Sequence, residues 1–495
     1  MARNVKEQPT GNQFEHRKNV RQKLIDEGVN VYPQDGHKTH TNAEALALPE
    51  GSEVQIAGRI MSLRGHGKIF FIDVHDQTGR AQVVIKVDET ENPDFINYFG
   101  KGDFIRVNGT RYVTQRGEQS VLAKNFEMLS KALKEIPRKL TNKETRLRLR
   151  SVDMLANPEV RSNFEKASLI QTSVRHTLED YGFYEVETPV MQPQYGGANA
   201  RPFTTYINAW GIPLYLRISP ELYLKYFLMG GTERVYEIAK NFRNEGVDKT
   251  HNPEFTMMEC YSAFWDYTDM MALTEVIYRN ACVKIHGKAE CTFRGHVIDF
   301  SQPWRRLPMK QGILEYLGLD VDQMSDAEIQ AAIVEHGEEY KGEWIRGLGI
   351  AKLFGAVEQY LVQPTFVTDM PKETTSLCKP HRDDPSLIER FEPYICGIEI
   401  GNAYTELNDP VLQEQFWLAE RKDDEEAHPI DETFLESMRY GMPPAGGLGL
   451  GMNRMKMIIL DLDSITDEIA FPTMKPVVNA AELDAEAEDR EAAAE

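Results

Sequence analysis

Side chains with the chemistry of a binding or catalytic site are concentrated in the segment 235–264, VYEIAKNFRNEGVDKTHNPEFTMMECYSAF. Because alternate residues of a strand share a face, the spacing predicts an antiparallel hairpin with Arg243 and Glu245 on one strand and Glu259 and Tyr261 on the other. An isolated Arg and Glu on a sheet are usually a surface pair. Here a permanent cation, carboxylates, an aromatic ring and a phenol converge, which favours a functional site. The set comprises Arg243, Glu245, His251, Phe255, Glu259 and Tyr261.

A second segment, RFEPYICGIEIGNAYTELND at 390–409, places three carboxylates in an apolar run with the pattern of a strand. Buried carboxylates are costly unless they are paired or bind a metal, so Glu392, Glu399 and Glu406 need partners. Glu399 and Glu406 differ in parity, and a bulge at Gly401–Asn402 would turn both toward one cleft. Metal ligands and solvated edge charges are both open interpretations of Glu392 and Glu399.

A third segment, PPAGGLGLGMNRMKMIIL at 443–460, is a glycine-rich stretch followed by a predicted helix. Gly447, Gly449 and Gly451 alternate, which fits neither the dinucleotide-binding fingerprint nor the Walker loop. We expect these glycines to leave room for a planar ligand beside a sheet. Arg454, near the first turn of the helix, would supply a permanent cation near phosphate.

The elements that position these segments follow a front part of different character. Short alternating runs from 53 to 130 predict a small barrel of five strands, preceded by an exposed amphipathic helix at 13–28 that ends at Gly28. Residues 131–150 are rich in Lys and Arg and are interpreted as a linker between domains. From 158 onward, long helical segments alternate with strands.

The formal net charge of −21 hides a strong asymmetry along the chain. Residues 1–150 hold 25 Lys and Arg against 19 Asp and Glu, whereas the remainder holds 31 against 58. A basic front favours docking of a polyanion on that part, although chance clustering together with an acidic tail is the alternative.

Composition argues against several classes of protein. No apolar run is long enough to span a bilayer, and the first residues lack the apolar core of a secretory signal, so we expect a cytoplasmic protein without membrane contact. The five cysteines form no Cys-x-x-Cys pair, which argues against a disulfide framework or a structural zinc site.

Three segments occur in the order of the signature motifs of class II aminoacyl-tRNA synthetases: EVETPV around Pro189, FRNE at 242–245 and GLGLGMNR at 447–454. From about residue 15 to 478 the chain more closely resembles the bacterial-type lysyl-tRNA synthetases of subclass IIb, through GGANARPF, SPELYLK, HNPEFTMME, PWRR, RFEPY and EIGNAYTELND. The resemblance implies an α+β fold, with a class II antiparallel sheet flanked by helices and an N-terminal OB-fold β-barrel.

The implied activity is that of a lysine–tRNA ligase, which activates L-lysine with ATP to lysyl-adenylate and transfers it to the 3′ end of tRNA(Lys). Mg²⁺ is the implied cofactor, and a homodimer formed through the first motif is the implied assembly. The implied domains are an N-terminal helical extension at 1–50, an OB-fold anticodon-binding domain at 51–135, a linker at 136–157, a catalytic domain at 158–478 with a largely helical insertion at 265–365, and a disordered acidic tail at 479–495.

Residue roles follow from matching positions. The resemblance implies Arg243 and Arg454 as catalytic residues, with Phe255 and Arg454 sandwiching adenine. The implied ATP-binding residues are Arg243, Glu245, His251, Phe255, Glu392, Glu399 and Arg454, of which Glu392 and Glu399 ligate Mg²⁺. The implied lysine-binding residues are Gly197, Glu221, Arg243, Glu259, Tyr261, Asn402 and Glu406. The implied anticodon-binding residues are Phe71, Gln82 and Glu118, with a core position as the alternative for Phe71.

Two other functions compete with this interpretation. One is a catalytically silent paralogue that binds tRNA or a protein partner, and the other is a ligase that attaches lysine to a protein or lipid. The intact Arg243, Glu245, Glu399 and Arg454 count against the first. Asn453 stands where the family usually has an acidic residue, so we expect slower turnover. An acidic pocket favours a cationic substrate over aspartate or asparagine.

Overall fold

The computed structural model of the protein describes residues 13–423 and 430–476. The chain divides into two compact units, Met1–Thr141 with Leu155–Asn157 and Asn142–Met154 with Pro158–Glu495. The predicted acidic tail at 479–495 lies outside the described residues. Among the helices that the structure describes, none is both long and apolar enough to cross a membrane.

The first unit is a closed five-stranded barrel with two helices packed on it. In chain order its elements are α1 (Gln13–Asp26), α2 (Asn42–Ala47), β1 (Glu53–His66), β2 (Ile69–Asp76), β3 (Gly79–Lys86), β4 (Phe104–Val113) and β5 (Gln119–Ser130), and the strands pair in the order β1-β2-β3-β5-β4. Leu24 of α1 is fully buried against the barrel core, and Gly28 after the helix has a φ of +79°. The predicted barrel and the predicted first helix are confirmed.

Alternation within the barrel strands separates core from surface. Ile72 and Val74 of β2 are fully buried. Phe71, which precedes Ile72, and Asp73, which lies between the two, therefore face outward. Gly109 sits at a bulge where β4 approaches β5, and a Cβ there would lie 2.1 Å from the Leu122 carbonyl oxygen. Glycine is therefore required at this closure point.

The second unit is built on a large, mostly antiparallel sheet. Its elements are α3 (Lys143–Arg148), α4 (Arg150–Ala156), α5 (Pro158–Asp180), β6 (Tyr184–Glu185), β7 (Met191–Gln192), β8 (Thr204–Ile207), β9 (Ile212–Leu216), α6 (Glu221–Met229), β10 (Arg234–Phe242), β11 (Glu254–Ala263), α7 (Tyr267–His286), β12 (Glu290–Phe293), β13 (His296–Asp299), β14 (Arg305–Pro308), α8 (Met309–Leu317), α9 (Asp326–Glu335), α10 (Arg346–Glu358), β15 (Thr365–Pro371), β16 (Leu387–Ile395), β17 (Ile398–Glu399), β18 (Gly401–Thr405), α11 (Pro410–Asp423), α12 (Glu432–Arg439), β19 (Ala445–Gly451), α13 (Met452–Ile459) and α14 (Ile465–Glu468).

The sheet order is β14-β15-β16-β18-β19-β11-β10-β6, with β17 paired to β16. Only the pairs at its two ends, β14 with β15 and β10 with β6, are parallel. Apolar residues on the back face, such as Leu448 and Leu450 of β19, are buried in one core with residues of α5, α7 and α13. This packing leaves the front face of the central strands free for a cavity.

Candidate active site

A cavity of about 650 Å³ lies over the front face of the central strands. Alternation along β19 places Gly447, Gly449 and Gly451 on this face, opposite Tyr261, Glu259 and Met257 of β11. A Cβ at Gly447 would lie 2.5 Å from the Tyr261 ring and 2.0 Å from Glu406 Oε1. The glycine that was expected to make room for a ligand thus makes room first for two side chains of the site.

The predicted hairpin is present, but its first strand is shorter than expected. β10 ends at Phe242, so Arg243 and Glu245 belong to the connecting loop and not to a sheet face. The backbone N–H of Arg243 donates to the Pro253 carbonyl across the loop, 2.9 Å away. In the paired strands Glu237 lies opposite Glu259, and Asn241 lies opposite Phe255.

One end of the cavity carries cations and an aromatic ring. The Arg243 guanidinium lies over the Phe255 ring, 5.1 Å from its centre, and among the described residues its Nε has no hydrogen-bond partner. Arg454 donates from Nη1 to the Glu399 carbonyl oxygen at 2.5 Å, and its Nη2 lies 3.2 Å from His251 Nε2. The guanidinium found over Phe255 is therefore Arg243, while Arg454 points toward Glu399 and His251.

Asp248 orients the imidazole at this end. Its Oδ2 lies 2.9 Å from His251 Nδ1, and an Nδ1–H donated to Asp248 leaves Nε2 to accept from Arg454. Although partial burial works in the opposite direction, hydrogen bonds from the Thr250 backbone and from His251 lower the pKa of Asp248 to about 2. The carboxylate is therefore ionised at neutral pH.

The other end of the cavity is acidic and buried. Glu221, at the start of α6, and Glu259 of β11 are each at least 95 % buried. Glu259 accepts from Ser219 Oγ at 3.0 Å and from the Tyr261 hydroxyl at 3.2 Å. Burial, together with the nearby Glu221 carboxylate, raises the pKa of Glu259 to about 8. A cationic ligand would therefore stabilise the ionised form.

Glu406 occupies a different place from the other predicted lysine-binding residues. Gly197, Glu221, Glu259, Tyr261 and Asn402 line the cavity. Glu406 has no exposed surface and lies behind the wall, with Oε2 2.5 Å from the buried ammonium of Lys225. Its Oε1 has no hydrogen-bond partner among the described residues. Burial raises the pKa of Glu406 to about 8 against the opposing effect of Lys225.

The two candidate metal ligands, Glu392 and Glu399, line the cavity, and Glu399 lies beside Arg454 of the cationic end. The pairing of β16 shifts by one residue between Ala403 of β18 and Glu399 of β17, so the predicted bulge is present. Glu392 accepts from Arg390 Nη2 at 2.5 Å and from the Tyr394 hydroxyl at 3.0 Å. Desolvation and the neighbouring Glu392 raise the pKa of Glu399.

This donor set fits Mg²⁺ bound in part by a substrate. Both side chains offer hard carboxylate oxygens, and the mutual repulsion that raises the pKa of Glu399 would be relieved by a cation. Among the described residues, no group of three or more His, Cys, Asp or Glu side chains could form a complete metal cage. Mg²⁺ commonly uses one or two carboxylates together with phosphates and water, so two ligands are sufficient.

Asn453 is built into a buried network. Its Oδ1 accepts from the Thr256 backbone N–H at 2.7 Å, and its Nδ2 donates to Glu468 Oε2 at 2.5 Å. Glu468 also pairs with Lys456 at 2.9 Å. Position 453 itself is neutral, but its side chain is hydrogen-bonded to a carboxylate, that of Glu468. The slower turnover expected from Asn453 stays a prediction.

The three predicted anticodon-binding residues lie together on the outside of the barrel. Phe71 of β2 and Gln82 of β3 share the outward face, and Glu118 precedes β5, which pairs with β3. Gln82 is largely buried and accepts from Ser120 Oγ at 3.0 Å, and Glu118 pairs with Arg80 at 2.9 Å. Phe71 is partly exposed and not part of the barrel core.

Sequence reasoning missed residues that hold the predicted ones in place. Lys225 pairs with Glu221 and Glu406, Ser219 donates to Glu259, and Arg390 donates to Asn402 at 2.9 Å. A signal for Lys225 existed: a lysine four residues after Glu221 in an otherwise apolar helix lies on the same face as that carboxylate.

Comparison with known proteins agrees with this geometry. The family described as class II tRNA synthetases (D, K and N) matches residues 142–475, and the OB-fold nucleic acid binding domain matches residues 54–129. A lysine–tRNA ligase of Saccharolobus solfataricus is 42% identical over 94% of this chain and 98% of its own length. A lysine–tRNA ligase of Pelotomaculum thermopropionicum is 45% identical over 92% of this chain and 93% of its own length. The predicted fold class is confirmed, and the chain belongs to the class II tRNA synthetases of the D, K and N group.

Proposed function

We infer that the chain is a lysine–tRNA ligase that activates L-lysine with ATP and transfers it to tRNA(Lys). One observation carries this inference beyond the family: three buried carboxylates are gathered at one part of the cavity, where Glu221 and Glu259 line the wall and Glu406 lies behind it. An acidic, desolvated pocket binds a cationic side chain and rejects aspartate and asparagine, the other substrates named for the group.

The reaction needs no protein nucleophile. A lysine carboxylate oxygen attacks the α-phosphorus of ATP, a P–O bond forms, and pyrophosphate leaves with the electrons of the broken bond. A ribose hydroxyl at the tRNA 3′ end then attacks the carbonyl carbon of lysyl-adenylate, and AMP leaves. Both steps depend on alignment and on neutralising charge at phosphate, which fixed cations supply.

Arg243 is the residue placed to join the two substrates. Its guanidinium lies at the cationic end, and its Nε is unpaired among the described residues, so the side chain has free donors for the lysine carboxylate and the α-phosphate. Arginine suits this role because its fixed fork of donors remains charged.

The ATP side chains surround Arg243. In this proposal the Phe255 ring stacks with adenine, Glu245 accepts from the adenine amino group, and His251 and Arg454 contact the distal phosphates. Arg454 also covers the other adenine face, which requires it to leave the partners it has in this structure, Glu399 and His251. Glu392 and Glu399 would hold Mg²⁺, which would neutralise phosphate charge.

The lysine side chains occupy the acidic end. In this proposal the Gly197 backbone, Glu221 and Glu259 bind the α-ammonium group, and Tyr261, Asn402 and Glu406 bind the ε-ammonium group. Gly197 has a φ of +84°, and a Cβ there would lie 2.9 Å from Glu221 Cβ, so only glycine fits beside that carboxylate.

The outer face of the barrel is the proposed anticodon site. Phe71 offers a partly exposed ring on which a base can stack, and Gln82 and Glu118 offer groups that can bond base edges. The Arg80 and Arg64 side chains lie on the same face beside Asp73, which supplies cations near a phosphate backbone. A Phe71→Ala variant that charges tRNA(Lys) as efficiently as the unaltered protein would remove this assignment.

A homodimer is the proposed assembly. Large apolar side chains are exposed on consecutive elements around the first motif: Leu169, Tyr184, Val190, Met191, Tyr206, Trp210 and Ile212. Exposed apolar residues concentrated in one part of a protein mark an interaction surface. Sedimentation should give a dimer, and Met191→Glu should shift it toward monomer.

A cytoplasmic location fits the thiols. The five cysteines are all free, and four of them are buried, as is usual in a reducing compartment.

Charging of a tRNA(Lys) transcript with labelled lysine tests the function against the silent paralogue. We expect ATP-dependent transfer that is lost in Arg243→Ala. Tight tRNA binding without any lysyl transfer would favour the paralogue instead.

A further inference from the structure

A buried lysine forms part of the acidic pocket although no lysine-binding role is assigned to it. Lys225 lies on α6, one turn after Glu221, and is 1 % exposed. Its Nζ lies 2.6 Å from Glu221 Oε1, 2.5 Å from Glu406 Oε2 and 5.9 Å from the centre of the Tyr261 ring. One ammonium therefore bridges a carboxylate on the cavity wall and a carboxylate behind it.

Lys225 does not block the cavity. It is absent from the cavity wall, as is Glu406, whereas Glu221, Glu259 and Gly447 line the wall. Gly447 lines the cavity, and a Cβ at that position would lie 2.0 Å from the unpartnered Glu406 Oε1, so this oxygen lies directly against a residue of the cavity wall. A ligand can thus interact with the charge of Glu406 while Lys225 stays in place.

The charges of this pocket match a diamino acid. When the carboxyls of Glu221, Glu259 and Glu406 are all ionised, they face one ammonium, from Lys225, which leaves two negative charges for a ligand to balance. L-Lysine brings two ammonium groups to this end and leaves its carboxylate to Arg243. Burying unbalanced charge is costly, so a ligand with one positive charge fewer would be rejected.

We propose that Lys225 is a specificity-determining positioning residue that fixes Glu221 and Glu406 and serves as the counter-ion of Glu406, so that the pocket sets three carboxylates and one ammonium of its own against a substrate with two ammonium groups. This inference rests on the proposed lysine–tRNA ligase function. Lys225 acts through the two carboxylates and does not touch the substrate.

Other groups close to these carboxylates do not replace Lys225. The phenols of Tyr261 and Tyr404 and the thiol of Cys378 are neutral at physiological pH, since burial raises the pKa of each. The neighbouring cation Arg390 is committed to Glu392 and Asn402. Removing the Lys225 ammonium would therefore leave Glu406 without its counter-ion, and its carboxyl would stay protonated to higher pH.

Lys225→Met tests the role of the charge, with Lys225→Arg as the matched variant that keeps it. At about pH 7 we expect Lys225→Met to leave Glu406 protonated and so without the charge proposed to face the ε-ammonium group. The lysine KM in ATP–pyrophosphate exchange should then rise roughly 30-fold, the size of a lost buried charge pair, while the ATP KM changes less than about twofold. Lys225→Arg should remain within about fivefold of the unaltered protein.

The pH dependence separates an electrostatic role from a packing role. Because the pKa of Glu406 is about 8 with Lys225 in place and would be higher without it, Glu406 ionises over this range in the unaltered protein but not in Lys225→Met. The excess lysine KM of Lys225→Met should therefore grow between about pH 7 and about pH 8.5. An excess that is equal at both pH values, or lysine and ATP KM values that rise together, would overturn the proposal.

A double variant keeps the test decisive if Lys225→Met does not fold. Glu406→Gln leaves one unbalanced negative charge, and Glu406→Gln with Lys225→Met restores two while removing both members of the buried pair. Adding Lys225→Met to Glu406→Gln should therefore lower the lysine KM. An unchanged or higher KM in the double variant would contradict charge matching.

Exchange by the unaltered protein distinguishes a failure of the Lys225 proposal from a failure of the proposed lysine–tRNA ligase function. If the unaltered protein shows lysine-dependent exchange but the variants do not show the expected changes in lysine KM, only the proposed role of Lys225 is contradicted. The absence of lysine-dependent exchange in the unaltered protein would contradict the proposed function itself.

Discussion

The two ends of the cavity handle charge in opposite ways. At the acidic end, the side chains of Glu221, Glu406 and their partner Lys225 are at most 4 % exposed. At the cationic end, the side chains of His251 and Asp248 are 56% and 58% exposed. One end is a set of buried charges paired within the protein, and the other carries an exposed Asp248–His251 pair beside the partly buried guanidinium of Arg454.

This difference fits what each end has to recognise. A buried unpaired charge costs several kcal/mol, so the acidic end can discriminate strongly between substrates that differ by one charge. An exposed ion pair contributes only about 0–1 kcal/mol, so the cationic end gains its strength from the phosphates that it binds. Selectivity for the amino acid and affinity for the nucleotide are therefore separable by mutation.

Arg243 is the exception, because its guanidinium at the cationic end is proposed to bind both the lysine carboxylate and the α-phosphate. Arg243→Ala should lower kcat/KM for exchange by about 10³-fold or more, since it removes a fixed cation from both substrates at once. Arg243→Lys, which keeps the charge but not the fork, should recover a small part. A loss confined to the lysine KM would place Arg243 at one end only.

Glu259→Gln should affect the acidic end alone. We expect the lysine KM to rise about 10²-fold, because a buried ammonium loses its anionic partner, while the ATP KM stays within about twofold. Glu254→Gln is the matched control, since Glu254 lies on the same strand in a half-exposed pair with Lys240. Equal increases in both KM values for Glu259→Gln would contradict the separation of the ends.

The pH dependence of lysine binding sharpens the same distinction. The pKa of Glu259 is raised to about 8, so below that pH the free carboxyl is largely protonated and must lose its proton when an ammonium group binds. The lysine KM should therefore fall several-fold from about pH 6.5 to about pH 8.5. A weaker dependence in Glu259→Gln would support this carboxyl as the source. A KM that rises with pH over this range would contradict it.

Asp248→Asn should give the smallest effect and should act at the cationic end. The variant removes a charge that orients His251, so we expect the ATP KM to rise about threefold with no change in the lysine KM. Asp299→Asn is a control, because Asp299 accepts a similar turn hydrogen bond from Ser301 away from the cavity. A larger effect on lysine than on ATP would argue against the assigned role of Asp248.

Sequence patterns predicted the barrel and most of the strand features that form the two ends of the cavity. Five alternating runs predicted the barrel, and parity predicted that Glu259 and Tyr261 share one face of their strand and that the three glycines at 447–451 share one face of theirs. The pairing of these two strands was not predicted. The bulge near Gly401 followed from the different parity of Glu399 and Glu406. These features depend on local periodicity, which a sequence displays directly.

Features that depend on contacts between distant segments could not be predicted in the same way. The end of β10 at Phe242 follows from the loop hydrogen bond between Arg243 and Pro253. The position of Glu406 behind the wall follows from Lys225, which is 181 residues earlier in the chain. Periodicity predicts the face of a strand or helix on which a side chain lies, but not the side chain from a distant segment that it contacts.

The most direct test of the proposed function is ATP–pyrophosphate exchange by the purified protein with each of the twenty amino acids, in the presence and absence of magnesium. We predict magnesium-dependent exchange with lysine alone, because only lysine brings two ammonium groups of suitable reach to the acidic end. Exchange with aspartate or asparagine, or with no amino acid at all, would contradict the assignment of the buried carboxylates as a lysine pocket.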